Sequence, residues 1–322
     1  MASKWMKGKE KAFKEFQDKK RQESDTNGFS SAINKWKTPE RGGVDKPKIY
    51  QTRLLFDKNG DFYKSFHYHM YQDSSGKWVF LLCPKTYGFD KYCPFCAAVM
   101  RLYKGSQSDK RTAYKYKRKN KHCVNAYIIK DPRDAEAQDD RDKVEGKVLI
   151  YEFPDKVESK IKAEMNDSEY GAGINIFDPG DDGVDFILKV GSTKPTQEDG
   201  PNKGKQFHDY GDSKFSNKPK AIAGDKDIEK IIKNTHDLNA HLTSMAKSDD
   251  EILELVKSEM LFDYIADDYP DQGGSKTIVE EIDNTEPSKP EPKTEKKEAK
   301  VDETPDNDDI SDEDLLAELD NL

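Results

Sequence analysis

Thiol groups are concentrated in one thirty-residue stretch, residues 67–96, which holds three of the four cysteines of the chain. Cys93 and Cys96 are separated by two residues, the spacing that lets a tight turn aim two sulfurs at one metal ion. Cys83 lies ten positions before Cys93, and two histidines stand at the start of the stretch. One imidazole and three thiolates form a closed tetrahedral shell, which is how proteins hold structural zinc. The spacing therefore predicts one structural Zn²⁺.

The histidine ligand is either His67 or His69. These residues are two positions apart, so they point to the same face of a strand and alternation does not distinguish them. The fourth cysteine, Cys123, lies far from the cluster in the apolar run CVNAYII, and it is predicted to be a buried core thiol.

Sequence motifs of catalysis are absent. No phosphate-binding G-x-x-x-x-G-K-[ST], no G-x-G-x-x-G and no G-x-S-x-G occurs. The acids of residues 178–185 lack the twelve-residue pattern of a calcium loop. The CPFC sequence of residues 93–96 also resembles a glutaredoxin redox pair, but no β-α-β pattern surrounds it. We therefore predict that the protein is not an enzyme, with a glutaredoxin-like redox protein as the weaker alternative.

Composition and charge describe a chain with two unlike parts. Charged residues make up 36% of the 322 residues and hydrophobic ones 34%, which predicts disordered segments. The chain has no run of eighteen apolar residues, so no membrane span is predicted. The lysine-rich N-terminus lacks the apolar stretch of a signal peptide. From Thr277 onward the net charge is −12 against −9 for the whole chain, so the preceding residues carry +3. A basic-leaning body with an acidic tail indicates a polyanionic partner such as nucleic acid.

Apolar alternation and turn signals predict the elements that position the cluster. IYQTRLLFD and DFYKSFHYHMY should form a β-hairpin around the Lys58-Asn59-Gly60 turn, and KWVFLLC should add a third strand after the DSSG turn. A short helix is predicted over residues 94–104. The remaining predicted elements are strands in CVNAYIIKD, KVLIYEF and VDFILKV, a helix over residues 155–166, and a helix-rich segment over residues 225–267.

Basic residues interleaved with aromatic ones follow the cysteines. Residues 101–122 hold nine Lys or Arg and one acid, Asp109. Cations neutralise phosphates without sequence preference, whereas flat rings stack only on unpaired bases, because a duplex hides the base faces. The pattern therefore favours single strands. The predicted contact residues are Tyr103, Tyr114, Lys115, Tyr116, Lys117, Arg118, Lys119, Lys121, Tyr151, Phe207 and Tyr210.

The two ends of the chain are predicted to lie outside the folded core. Residues 1–26 are predicted to be a flexible basic arm, and residues 27–270 the nucleic-acid-binding core, in which 61–125 contain the zinc subdomain and the basic, aromatic loop. Residues 271–322 are rich in Pro, Glu, Lys and Asp, which indicates disorder. The tail ends in DDISDEDLLAELDNL, whose apolar residues at near-helical spacing favour folding on a protein partner.

Ordered sequence segments resemble the single-stranded DNA-binding, helix-destabilising proteins of T-even-type bacteriophages. The matching segments are NGFSS with KWK (27–37), GKW (76–78), the zinc ligands, KRK (117–119) with KDP (130–132), EGKV with Tyr and Phe (145–153), FILKV (186–190), the F-x-x-Y-x-x-S-K-F pattern (207–215) and the acidic, leucine-containing end.

This resemblance implies a fold and a ligand set. The fold is α+β, an OB-type β-barrel core with an inserted zinc-binding subdomain, a flexible basic N-terminal arm and a disordered acidic C-terminal tail. The family's zinc shell is one His and three Cys, here His69, Cys83, Cys93 and Cys96. Measured back from Gly76, the family's histidine lies six residues earlier and His69 seven, so a hairpin one residue longer favours His69 over His67.

The resemblance also implies function and partners. The protein would coat single-stranded DNA cooperatively and without sequence specificity during phage replication, recombination and repair, in the cytoplasm of the infected bacterium. Copies would contact each other head to tail through the basic arm, where Lys19, Lys20 and Arg21 are the nearest match to the family's cooperativity motif. The acidic tail would recruit replication, recombination and repair proteins of the polymerase, helicase-loader and recombinase-mediator classes. A zinc-containing RNA-binding protein or translational repressor is the other alternative, because flat rings and cations do not distinguish the two sugars.

Overall fold

The computed structural model describes residues 34–270, apart from residues 138, 140, 168 and 196–203. The basic arm, with its Lys19-Lys20-Arg21 motif, and the acidic tail lie outside the described residues. The described chain is an α+β arrangement of strands and helices around one antiparallel sheet, as predicted. Among the described helices, none is long and apolar enough to cross a membrane.

The strands are short except for the fourth, which carries thirteen residues. They are β1 (Lys48–Leu55), β2 (Lys64–Gln72), β3 (Trp78–Leu82), β4 (Arg118–Lys130), β5 (Val148–Phe153), β6 (Phe186–Ser192), β7 (His208–Asp209) and β8 (Lys214–Phe215). The α-helices are α1 (Pro94–Leu102), α2 (Gln107–Tyr116), α3 (Asp155–Asn166), α4 (Asp225–Lys233), α5 (Leu238–Ser244) and α6 (Asp249–Ser258). Single 3₁₀ turns lie at Pro84–Tyr87, Pro132–Ala135, Gly173–Phe177, Phe262–Tyr264 and Ala266–Asp268.

Strand β4 joins the two halves of the sheet. Its first half pairs antiparallel with β2, from His69↔Arg118 to Lys64↔Cys123. Its second half pairs with β1, and β5 pairs with the middle of β4. Residues 121–126 are buried at every position, so this stretch reads as a continuous buried run rather than an alternating one.

The long connection between β1 and β2 contradicts the predicted β-hairpin. The turn itself forms, because the Gly60 amide donates to the Asp57 carbonyl at 3.0 Å and Gly60 adopts a φ of 89°. The two strands nevertheless do not pair with each other, since β4 lies between them in the sheet. Phe62 and Tyr63, which lead into β2, are buried in the core, so the connection packs inward instead of closing a tight hairpin. The hairpin of β2 with β3 through the DSSG turn is confirmed.

Strand β6 forms the far side of the sheet. One edge pairs with β1, and the other edge takes β7 and β8. The strand order β3-β2-β4-β1-β6-β7 describes a path with two ends in the described part of the chain. Closure into an OB-type barrel therefore stays a prediction.

The buried apolar side chains form two large cores. The larger core gathers side chains of β1, β4, β5 and β6 with the helix α3, and includes Trp36, Tyr151 and Phe153. The second core joins the cysteine cluster to α1, α2 and α6, and it includes Phe95 and Leu102. The C-terminal helix α6 therefore packs directly on the element that carries the predicted metal ligands.

A buried ion pair joins β1 to the loop before β6. Arg53 and Asp185 have side-chain exposures of 0% and 1%, and the Arg53 Nη2 to Asp185 Oδ1 distance is 2.7 Å. Arg53 also donates to the carbonyl oxygens of Asp178 and Lys220, so the guanidinium has hydrogen-bond partners on several sides. The two desolvated charges depend on each other, because water cannot replace either partner. Asp185 also contacts the partly exposed Lys220 ammonium at 3.0 Å, so it keeps one cation when Arg53 is removed.

Removing one member of this pair is expected to destabilise the fold strongly. Arg53→Met or Asp185→Asn should each lower the free energy of unfolding by about 3–5 kcal/mol, the usual cost of removing one partner of a buried ion pair. Arg141→Gln is the matched control, because the exposed Arg141–Asp139 pair should contribute less than about 1 kcal/mol. Urea unfolding measures both. Equal effects of the buried and exposed changes would contradict the role assigned to Arg53.

Candidate metal centre and nucleic-acid interface

Four side chains from three elements meet in a buried cluster. His69 lies on β2, Cys83 directly follows β3, and Cys93 and Cys96 lie at the start of α1. Their ligand atoms all lie within 4.8 Å of one another. His69, Cys83 and Cys93 have at most 1% exposure, whereas Cys96 is partly exposed. This is the ligand set predicted from the sequence.

A backbone hydrogen bond orients the histidine toward the sulfurs. His69 Nδ1 donates to the carbonyl oxygen of Tyr116, at 2.8 Å, which leaves Nε2 as the ligand nitrogen. Nε2 lies 3.4 Å from the Cys93 sulfur and 3.6 Å from the Cys96 sulfur. A partner on the second ring nitrogen is what fixes the tautomer of a metal-bound imidazole. The last residue of α2 therefore helps to build the centre.

The spacing of the donor atoms fits a tetrahedral zinc ion. With Zn–S bonds of about 2.3 Å and a Zn–N bond of about 2.0–2.1 Å, a tetrahedron has S···S and S···N edges of about 3.8 and 3.6 Å. The Cys83 and Cys96 sulfurs are 3.7 Å apart, far beyond the disulfide bond length of about 2.05 Å. Hydrogen bonds with the thiols of Cys83 and Cys93 lower the pKa of Cys96, which favours the thiolate that a metal requires.

The two alternative residues of the sequence lie elsewhere. His67 is half-buried, and its Nδ1 is 2.6 Å from the Asn120 side-chain oxygen instead of facing the cysteines. Cys123 is fully buried among apolar side chains of β2 and α5, as predicted for a core thiol. A cluster of three thiols and one imidazole favours a metal over a glutaredoxin-like redox pair, because that pair would use only Cys93 and Cys96.

Two acids that follow α6 form hydrogen bonds with the metal-binding region. Asp268 accepts hydrogen bonds from the Tyr92 hydroxyl and from the Arg101 guanidinium, each at 2.6 Å. Glu259 accepts from the Tyr116 hydroxyl at 2.6 Å, and the Lys115 ammonium lies 3.3 Å away. Two carboxylates that follow α6 in the chain therefore contact the basic, aromatic segment. Sequence reasoning did not assign these contacts, because the acids are distant from their partners along the chain.

Six of the predicted nucleic-acid contacts are at least partly exposed. Tyr103 caps α1 and is 44% exposed. Tyr114 lies on the last turn of α2, and Lys117 lies between α2 and β4. The Lys117 ammonium is 4.2 Å from the centre of the Tyr114 ring. In such a pair the cation can contact a phosphate while the ring stacks on the neighbouring base. The six residues are Tyr103, Tyr114, Lys115, Lys117, Arg118 and Phe207.

The other five predicted contact residues are buried, which corrects their assignment as exposed platforms. Tyr151 is 2% exposed, lies in the larger core and makes an edge contact with the Trp36 ring at 5.2 Å. A base cannot stack on a ring whose faces already pack against protein, so the structure gives Tyr151 a packing role. The five residues, all at most 7% exposed, are Tyr116, Lys119, Lys121, Tyr151 and Tyr210.

An internal acid accounts for the burial of Lys121. Its ammonium lies 3.1 Å from Glu152, which is also 2.6 Å from Lys35 and 3.1 Å from His241. Burial raises the pKa of Glu152, but the positive charges of Lys121 and Lys35 and the hydrogen bond from His241 outweigh it and leave that pKa below its usual value. Glu152 is therefore a carboxylate at neutral pH, and Lys121 neutralises it rather than a phosphate.

The remaining cations of residues 101–122 define the basic surface. Of the nine, Lys119 and Lys121 are buried, and Arg101 and Lys115 pair with acids. The other five make no ion pair with an acid in the described part of the chain, and they are called the basic surface below. The basic surface comprises Lys104, Lys110, Arg111, Lys117 and Arg118.

One exposed aromatic residue beside this surface was missed by the sequence reasoning. Phe89 is 72% exposed and lies between the Cys83 and Cys93 ligands, with the Arg118 guanidinium 5.8 Å from its ring centre. The signal that could have found it is an aromatic residue between Gly88 and Asp90, in a turn that has no apolar core of its own.

A family model described as "gp32 DNA binding protein like" matches residues 52–259, about two thirds of the chain. The matched range includes the metal cluster, the basic surface and most of the sheet. No curated protein matches the chain significantly.

Substitution of a cluster ligand is expected to abolish metal binding. His69→Ala or Cys93→Ser should reduce the metal content from about one Zn²⁺ per chain and lower the melting temperature by several degrees. A loss of about 1 kcal/mol already shifts the midpoint by roughly 2–4 °C in a folded unit of about 150–250 residues. Elemental analysis and thermal unfolding of the same samples provide the measurements.

His67→Ala and Cys123→Ala are the matched controls for this experiment. Both change the same residue types outside the cluster, so the metal content should stay near one ion per chain. Loss of the ion in His67→Ala, with retention in His69→Ala, would overturn the ligand assignment.

Proposed function

The chain belongs to the family of gp32-like DNA-binding proteins, in agreement with its resemblance to the phage proteins that bind single strands, and we propose that it coats single-stranded DNA without sequence specificity. The family match over residues 52–259 is the observation that carries this proposal. The chemistry of the basic surface supports it, since the Lys117 ammonium lies against the Tyr114 ring and the Arg118 guanidinium against the Phe89 ring.

Affinity in this proposal comes from phosphates, and strand selection comes from bases. Each cation of the basic surface that neutralises a phosphate releases condensed counterions, which stabilises binding in a salt-dependent way. Tyr103 and the partly exposed ring of Tyr114 offer faces on which unpaired bases stack. Because a duplex hides its base faces, the rings favour the open strand, and hairpins are removed by mass action on it.

The metal in this proposal has a structural role. When bound, Zn²⁺ supplies four fixed coordination bonds, and His69, Cys83, Cys93 and Cys96 are the residues that would hold it. Tyr116, whose carbonyl oxygen orients His69, directly precedes Lys117 and Arg118. The ligand cluster would therefore hold the end of α2 in place, directly before Lys117 and Arg118 of the basic surface.

The wider role is proposed from the family and from the two ends of the chain. The core is proposed to close as an OB-type barrel, with the zinc subdomain inserted within residues 61–125. Residues 1–26, including Lys19, Lys20 and Arg21, would contact the neighbouring copy, and residues 271–322 would recruit replication, recombination and repair proteins. Such a protein acts in stoichiometric amounts and is not an enzyme. Its place of action would be the cytoplasm of an infected bacterium.

Fluorescence titration with oligonucleotides at several salt concentrations tests the proposed function. A single-stranded dT oligomer should bind more tightly than a duplex of equal length. If all five cations of the basic surface contact phosphates, log K should fall with log salt with a slope of about −3.5, from about −0.7 per phosphate on a single strand. Equal affinity for single strands and duplexes would overturn the proposal, and a matched RNA oligomer tests the RNA-binding alternative.

Tyr103→Ala should weaken single-strand binding at every salt concentration without changing the salt slope. Loss of one stacked base costs about 1–3 kcal/mol, or roughly 5- to 150-fold in affinity. Tyr170→Ala is the matched control, because Tyr170 is 83% exposed but lies in a loop with Asp167 and Glu169. If both variants bind like the parent protein, Tyr103 is not a stacking platform.

A further inference from the structure

Phe89 is held at the surface by a well-bonded turn. It follows the 3₁₀ turn Pro84–Tyr87, and its carbonyl oxygen accepts from the Lys85 ammonium at 2.8 Å. The Lys91 amide donates to the Gly88 carbonyl at 3.0 Å on the other side of Phe89. The backbone is therefore tied down on both sides, while the ring is 72% exposed. The Phe89 ring therefore buries little of its apolar surface within the chain itself.

Two polar side chains lie against the Phe89 ring. The Arg118 guanidinium is 5.8 Å from the ring centre, and the His67 imidazole is 5.6 Å from it at an angle of 55°. The His67 ring is oriented by the Asn120 side chain, whose oxygen is 2.6 Å from Nδ1. Arg118 forms no ion pair with any acid in the described ranges, so its charge is available to an outside anion.

These contacts place an exposed flat ring next to an unpaired cation. We propose that Phe89, Arg118 and His67 form a binding site for one nucleotide of single-stranded DNA, at the outer edge of the metal-binding region. Its base stacks on the Phe89 ring, flanked by the His67 imidazole, and its phosphate binds the Arg118 guanidinium. This inference rests on the proposed function and adds a subsite to it.

The site is built on the same strand pair as the metal cluster. Arg118 pairs with His69 across β4 and β2, so its position is set by a metal ligand. The Cys83 amide and the Thr86 hydroxyl both donate to the His67 carbonyl, at 2.8 and 3.0 Å, which ties the turn of Phe89 to β2. Ring and guanidinium therefore share one rigid support, and little ordering is needed when a nucleotide binds.

The chemistry selects an unpaired nucleotide over other anions. A free phosphate would contact Arg118 but gain nothing from the ring, whereas stacking of a base raises the affinity roughly 5- to 150-fold. A base pair within a duplex shows no face to the ring, so the subsite should contribute little to duplex binding. The guanidinium plane near the ring adds a cation–π contribution that favours a stacked arrangement.

Phe89→Ala tests the base contact. With a dT oligomer, the variant should bind about 5- to 150-fold more weakly than the parent protein, with an unchanged salt slope. With an oligomer of abasic sugar-phosphate units, the two proteins should bind equally, because the bases are missing. Phe89→Tyr should restore the dT affinity. Thermal unfolding checks that the exposed substitution leaves the fold intact.

Arg118→Gln tests the phosphate contact separately. This variant should lower the magnitude of the salt slope by about 0.7 and weaken binding to dT and to abasic oligomers alike. Tyr170→Ala again serves as the control for loss of an exposed ring.

If the parent protein binds dT tightly and Phe89→Ala binds it equally well, the subsite is overturned while the proposed function stands. A reduced affinity of Phe89→Ala for the abasic oligomer would also overturn the base contact. If the parent protein itself does not prefer single strands, the proposed function fails first.

Discussion

The hydrogen bond from His69 to the Tyr116 carbonyl is the contact on which the metal-binding region depends. It joins β2 to the end of α2, and through the cluster it joins both to Cys83 and the start of α1. Without an ion, three sulfurs and an imidazole would be packed together with only weak thiol hydrogen bonds between them. A bound metal replaces these with strong directional bonds and makes the second apolar core a single unit.

The same contact decides which side chains of the following segment reach solvent. Tyr116 turns inward against the Tyr71 ring, at 4.9 Å, and Lys119 is buried. Lys117 and Arg118 lie between them and keep exposed surface. The basic surface is thus a consequence of how α2 ends and β4 begins, and the metal cluster sets that junction. Under the proposed function, the metal cluster and the basic surface would be linked through the backbone of this junction rather than through direct contact.

Local spacing made the cysteine ligands predictable and the family resemblance favoured His69 over His67, whereas long-range strand pairing was not predictable. The two-residue gap between Cys93 and Cys96 has few physical explanations, so the cluster could be predicted from the sequence. The turn at Gly60 was also readable, but nothing local says that β4 will lie between β1 and β2. The burial of Tyr151 was unpredictable for the same reason, because an aromatic residue in an apolar strand is equally compatible with a core and with a binding face. Only the packing of Trp36 against it distinguishes the two.

Charge counting along the sequence overstates the surface that can meet phosphates. Residues 101–122 carry nine cations, yet Lys121 neutralises the buried carboxylate of Glu152, and Lys115 is shared with Glu259. An acid that holds a cation competes with DNA for it, and the outcome depends on burial. Glu152 is 5% exposed, and the Glu259 side chain is 7% exposed, so water cannot easily replace the cation at either acid. The two pairs differ in the cation, because the Lys115 side chain is 42% exposed, and the Tyr116 hydroxyl also donates to Glu259. Both lysines therefore neutralise acids of the folded chain, and only the more exposed Lys115 keeps surface that a phosphate could contact.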